Sequence, residues 1–276
     1  MPHKKHFLGL CLLFVPLLVL INSCSDRLPE YKTVKFEIIL AKPIISQNVY
    51  LTGNNEKLGN WAPAGILLEK KSDTIWTKSF LFNINENIEF KVTKGSFKLQ
   101  ATNSDGWIYD NFKLTVKNDT SVKINIPNWA ENFYSRRINK SYFTGQDAGV
   151  KLVNNWRYHS GDNVAWANIR AHDSSWETVS SDLTQDNLPK EGWNNIGWFR
   201  THLEIDSSLY NTSFAYLVSQ FGALEIYLNG RLLHKFGNIG ECYKNYFPVQ
   251  NRNWYEIKFD SQKDQIVAVR YANYSD

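Results

Sequence analysis

Apolar and polar side chains alternate with a period of two along most of this chain. Val34, Phe36, Ile38 and Leu40 alternate with Lys35, Glu37 and Ile39 before Pro43 ends the run, which is the pattern of a strand with one face buried. Comparable runs cover residues 48–52, 66–69, 75–82, 87–93, 112–116 and 121–126, with turn-forming clusters between them. No run has a helical period. Short strands at this spacing predict two antiparallel sheets packed face to face. The pattern returns in the second half, where Asn229-Gly230 joins residues 225–228 to 231–236 as a two-residue hairpin. Residues 254–259 and 265–271 supply further strands. The expected fold class is all-β, with two β-sandwich domains in tandem. Between them, residues 128–149 lose the alternation and read as a linker, pinned by Trp129, Phe133 and Tyr134.

The first residues follow a different rule. His3, Lys4, Lys5 and His6 precede an apolar run over residues 7–21, interrupted by Pro16 and shorter than the roughly 20 residues a membrane span needs. This is a targeting segment. Ile21-Asn22-Ser23-Cys24 then resembles the lipobox of bacterial lipoproteins, which implies a signal peptide over residues 1–23, acylation of Cys24 and a polar tether over 24–32. An ordinary secretory signal with an incidental cysteine is the alternative. The localisation expected is the cell envelope, lipid-anchored to a membrane.

Composition narrows the classes further. With 276 residues, 43% of them apolar, the chain can bury a sizeable core, and 10 Trp against 1 Met suits sandwiches and sugar-binding faces better than helical bundles. Cys11 leaves with the signal and Cys24 would be lipidated, so Cys242 stands alone, with no disulfide partner and no metal cluster. Loss of Lys4 and Lys5 leaves 29 basic against 27 acidic side chains. Charges of both signs are interspersed, which excludes the basic stripe of a nucleic-acid binder.

The stretch over residues 48–63, Asn-Val-Tyr-Leu-Thr-Gly-Asn-Asn-Glu-Lys-Leu-Gly-Asn-Trp-Ala-Pro, sets Trp61 on a loop between Gly59 and Pro63. After it come Ile75-Trp76, Glu89-Phe90-Lys91-Val92 and the turn Ser104-Asp105-Gly106-Trp107. In this order the features resemble the family 20 carbohydrate-binding modules, the starch-binding domains, over about residues 33–127. The resemblance implies an α-glucan site in which Trp61 and Trp107 stack on sugar faces and Lys91 donates to a hydroxyl. Phe97, in Lys94-Gly95-Ser96-Phe97, is either a further ring at the edge of that site or packing. Trp76, mid-strand among apolar neighbours, reads as core.

In the second half, Trp156-Arg157-Tyr158, Gly161-Asp162-Asn163, Trp198-Phe199-Arg200 and Tyr227-Leu228-Asn229-Gly230 occur in an order that resembles the galactose-binding-like jelly roll. That domain fronts family 2 glycoside hydrolases and some sensor kinase and cyclase ectodomains, and the likeness covers about residues 150–276. Trp156, Trp166, Trp176, Trp193 and Trp198 read as structural, and His159 beside Asp162 as a turn. Such jelly rolls place one more strand after the one carrying Ala-Val-Arg. Only residues 272–276 follow it here, so an unpaired apolar edge and a truncated second domain are expected.

Enzyme signatures are missing: no Gly-x-Ser-x-Gly elbow, no His-Glu-x-x-His, no phosphate loop and no dinucleotide fingerprint. No enzyme activity, cofactor or metal is expected. The expected function is that of a membrane-anchored carbohydrate-binding lipoprotein whose partner is an oligo- or polysaccharide, the sensing part of a kinase- or cyclase-like signalling protein. The alternatives are a glycan-capture accessory of a polysaccharide-uptake system and a non-catalytic fragment of a glycosidase.

Overall fold

The computed structural model describes residues 29–145, 148–183, 188–190, 192–240 and 243–274. Cys24 and Cys242, and the segment expected as signal peptide, lie outside the described residues. The helical elements described are short 3-10 turns; the rest of the regular structure is β.

The first unit contains β1 (Tyr31–Leu40), β2 (Tyr50–Gly53), β3 (Ile66–Leu67), β4 (Glu69–Lys70), β5 (Ile75–Asn83), β6 (Asn87–Thr93), β7 (Ala101–Thr102), β8 (Phe112–Thr115), β9 (Thr120–Ile126) and β10 (Asn128–Trp129). One sheet runs β4-β5-β1-β9 and the other β3-β2-β6-β8, with β7 and β10 as a short ribbon. The alternation in β1 places Val34, Phe36, Ile38 and Leu40 inward and fully buried. Phe36 meets Phe90 of the facing sheet edge to face, with ring centroids 4.9 Å apart. Each such side chain contributes about 1.5–3 kcal/mol through burial. Trp76 is in this core, 3% exposed, as its strand position predicts.

The second unit contains β11 (Ser135–Ile138), β12 (Trp156–Ser160), β13 (Glu177–Val179), β14 (Ile196–Ile205), β15 (Ser213–Leu228), β16 (Arg231–Phe236), β17 (Val249–Lys258) and β18 (Asp264–Ala272). Its main sheet runs β13-β12-β14-β18-β15-β16. β15 serves two sheets: residues up to Gly222 pair with β17, and those from Ala223 pair with β18. Gly222 makes the switch at φ 138°, and a Cβ there would sit 2.6 Å from the carbonyl oxygen of Ala272.

One expectation is corrected here. The stretch read as a pinned linker holds regular structure over its described part: Trp129 is buried in the first core, and β11 lies parallel to β14, with Ile138 buried in the second core. β18 has β14 on one side and β15 on the other, while β17 pairs with β15 alone among the described residues. Among the apolar side chains that reach solvent, Leu217, Phe221 and Trp254 stand on the β15–β17 ribbon, Leu217 directly opposite Trp254.

Inside the second unit Arg200 is fully buried. Its Nε donates to Asp173 Oδ2 at 2.6 Å, and its remaining nitrogens donate to the carbonyls of Trp166, Asn168 and Ala171. Asp173 also accepts from His202 Nε2 at 2.8 Å and from the Tyr134 hydroxyl. Burial pushes the Asp173 carboxyl up, but hydrogen bonds from His202, Tyr134 and Arg200 outweigh it and hold the group well below the usual carboxylate range. Trp156, Trp176 and Trp198 are buried, and Trp166 and Trp193 pack against them and their neighbours. His159 lies between Trp166 and Trp176, with centroids 4.6 and 5.1 Å away.

Candidate functional site

The Trp61 loop is built by local hydrogen bonds. Asn55 caps the short turn Glu56–Leu58, its Oδ1 accepting from Leu58 N at 3.0 Å, and its Nδ2 donates to Glu86 at 2.9 Å. Leu58 is buried under the loop. Gly59 then leaves the turn at φ 80°, Asn60 follows at 47° and Trp61 at 62°. A bulky residue rarely adopts this left-handed conformation, at a cost of order 1–3 kcal/mol. Trp61 N is held to the Gly53 carbonyl at 2.8 Å, and Ala62 N to that of Gly59 at 2.8 Å. The result is a half-buried indole on a rigid loop.

Gly53 ends β2, and its neighbour Thr52 lies opposite Lys91 of β6. Trp61 is thereby tied to the end of β2, one residue beyond the position opposite Lys91. Lys91 is partly buried, and its Nζ donates to the carbonyl of Tyr109 at 2.5 Å. Burial lowers its pKa, against the carboxylate of Asp110, which raises it. The Thr52 hydroxyl beside it is buried with no hydrogen-bond partner. A half-buried indole and a partly buried ammonium have the chemistry to hold a neutral polyol: C–H faces on the indole, hydroxyls on the ammonium.

Trp107 does not join them. It is 8% exposed and belongs to the core of the second unit. Its Nε1 donates to the Arg137 carbonyl at 2.6 Å, and the Arg136 guanidinium lies 4.8 Å over its ring. Tyr142 meets it edge-on at 5.9 Å. Arg136 is itself buried, which lowers its pKa to about 10, and it donates to Thr201 at 2.6 Å. A buried cation of this kind gains from an aromatic face. The face that was expected to stack on a sugar is therefore occupied by Arg136, and Trp107 serves as the pin between the two units. Phe97, by contrast, is 40% exposed, at the start of a turn capped by Ser96.

Residues 31–126 match the starch binding domain family. No curated protein matches the chain. Among solved structures, a family 15 glucoamylase from Hypocrea jecorina is 21% identical with a TM-score of 0.29, over 37% of this chain and 17% of its own. A β-glucuronidase from Bacteroides uniformis is 16% identical with a TM-score of 0.34, over 45% and 14%. The family 20 carbohydrate-binding module of a maltotetraose-forming amylase from Pseudomonas saccharophila STB07 is 22% identical with a TM-score of 0.25, over 33% of this chain and 99% of its own. The chain thus spans under a fifth of the glucoamylase and of the glucuronidase. The starch-binding match falls on the sandwich that carries Trp61 and Lys91. The contacts that bury Trp107 were not legible beforehand, because Arg136 and Tyr142 lie in the stretch read as a linker.

Proposed function

We propose that this protein is an envelope lipoprotein that binds α-glucan through its first sandwich, with Trp61 stacking on a sugar ring and Lys91 donating to a hydroxyl. The observation that carries the reading is Trp61, held in a left-handed backbone conformation at the end of β2 within a stretch that matches the starch binding domain. Backbone strain of this kind persists where surrounding structure holds it, and it clusters at functional sites. Lipidation at Cys24 would keep the module at a membrane, and its role there is glycan sensing on behalf of a signalling partner. The test is retention of the mature protein on insoluble amylose. Trp61→Ala should weaken binding by about 1–3 kcal/mol, the scale of one lost aromatic stack, with the melting transition kept. Equal retention of wild type and variant would place the site elsewhere.

A further inference from the structure

Between the two units lies a cleft of about 330 Å³ whose walls come from both halves of the chain. Phe97 and Ile108 stand on the first wall, and Asn154, Asn155, Ser180 and Lys190 on the second. Its size is at the lower end of the roughly 300–1,000 Å³ typical of small-ligand sites, which favour domain interfaces. The walls are tied together: Lys98 Nζ donates to the Thr178 carbonyl at 3.2 Å and pairs with Glu177 at 3.5 Å, and Lys151 pairs with Asp110 at 3.0 Å. One residue along from Ile108, the Tyr109 carbonyl holds Lys91, so the cleft is joined through one chain segment to the Trp61–Lys91 region.

We infer that this cleft is a second glycan subsite, completed by the second unit, that receives the continuation of an α-glucan chain bound at Trp61. The inference rests on the glucan-binding reading proposed above. Three features point to a neutral polyol. Phe97 presents an exposed ring. The facing wall offers side-chain amides and a hydroxyl, and the Nδ2 of Asn155 is buried with no hydrogen-bond partner; an unused donor of this kind is uncommon in a folded protein and calls for a partner. Lys98 pairs with Glu177, and Lys190 on the second wall offers a further donor to a hydroxyl. A sugar ring against Phe97 would bring hydroxyls to the Asn155 wall. The second unit is then part of the binding surface as well as a support for the first.

The experiment is calorimetric titration of the full mature chain with maltose and with maltoheptaose, in wild type, Trp61→Ala, Phe97→Ala and Asn155→Gly. Glycine tolerates the φ of 60° at Asn155, and Phe97 is exposed, so both cleft variants should fold; melting curves check this. The expected result is that Phe97→Ala and Asn155→Gly each weaken maltoheptaose binding by about fivefold or more, the loss of a stack or a hydrogen bond, and leave maltose binding unchanged. Trp61→Ala should weaken both ligands. If both cleft variants bind maltoheptaose as wild type does while Trp61→Ala is impaired, the cleft inference fails and the starch-binding reading stands. If wild type binds neither sugar, both fail.

Discussion

Trp61 and Trp107 have similar sequence surroundings, each after a Gly-containing turn, yet the fold uses them in opposite ways. Trp61 is lifted onto its loop by three successive left-handed residues, Gly59, Asn60 and Trp61. Gly59 is needed there because a Cβ would lie 2.6 Å from Gly65 Cα. Trp107 is swallowed by the seam, under Arg136 and beside Tyr142. The Asp-Gly-Trp turn looks the same in sequence whether its ring meets water or a neighbouring unit, so only the long-range partners distinguish the cases. Trp107→Ala should accordingly destabilise the protein by about 3–5 kcal/mol, the cost of emptying a packed aromatic site, as read by denaturant unfolding. Glucan affinity of the folded protein should stay within twofold, roughly, of wild type, since about 0.4 kcal/mol or less would be lost. A variant of unchanged stability with lost affinity would return Trp107 to the sugar site.

At the scale of elements, the period-two pattern located the strands well. The run over residues 75–82 became β5 and that over 87–93 became β6, because alternation reports directly which face of a strand is buried. Pairing was less legible. That β9 runs parallel to β1, that β11 joins β14 in parallel, and that β15 changes sheets at Gly222 depends on contacts between distant segments, which local pattern does not encode. Arg200 is a similar case: Trp198-Phe199-Arg200 belongs to the jelly-roll resemblance, but its partner Asp173 carries no local signal. Asp173→Asn should cost about 3–5 kcal/mol, because it leaves Arg200 buried with its charge uncompensated. The pH dependence follows from the depressed folded-state pKa of Asp173. Its stabilisation is present above the unfolded carboxyl's ordinary value and is lost as pH falls through the lower folded value. Wild type should therefore lose stability relative to Asp173→Asn as the solution is acidified below the ordinary carboxylate range, and a difference that grows on acidification would contradict the assignment.

On the scale of the whole molecule, two all-β units share a seam and not merely a tether. Trp107 and residues 128–138 bind them together, and the same seam carries the cleft assigned above. If Cys24 is acylated, mature protein should fractionate with membranes, since two or more acyl chains anchor stably. Cys24→Ser should move it to the soluble fraction or leave the signal attached; normal processing with membrane retention in that variant would remove the anchor from the account.

The central claim is that sugar meets Trp61 and not Trp107. Indole N–H resonances of the full mature chain, assigned by Trp61→Phe and Trp107→Phe and followed during titration with maltoheptaose, test it directly. The Trp61 resonance should shift with saturating ligand while the Trp107 resonance, its Nε1 held by the Arg137 carbonyl at 2.6 Å, stays in place. A shift at Trp107 with none at Trp61 would contradict the claim.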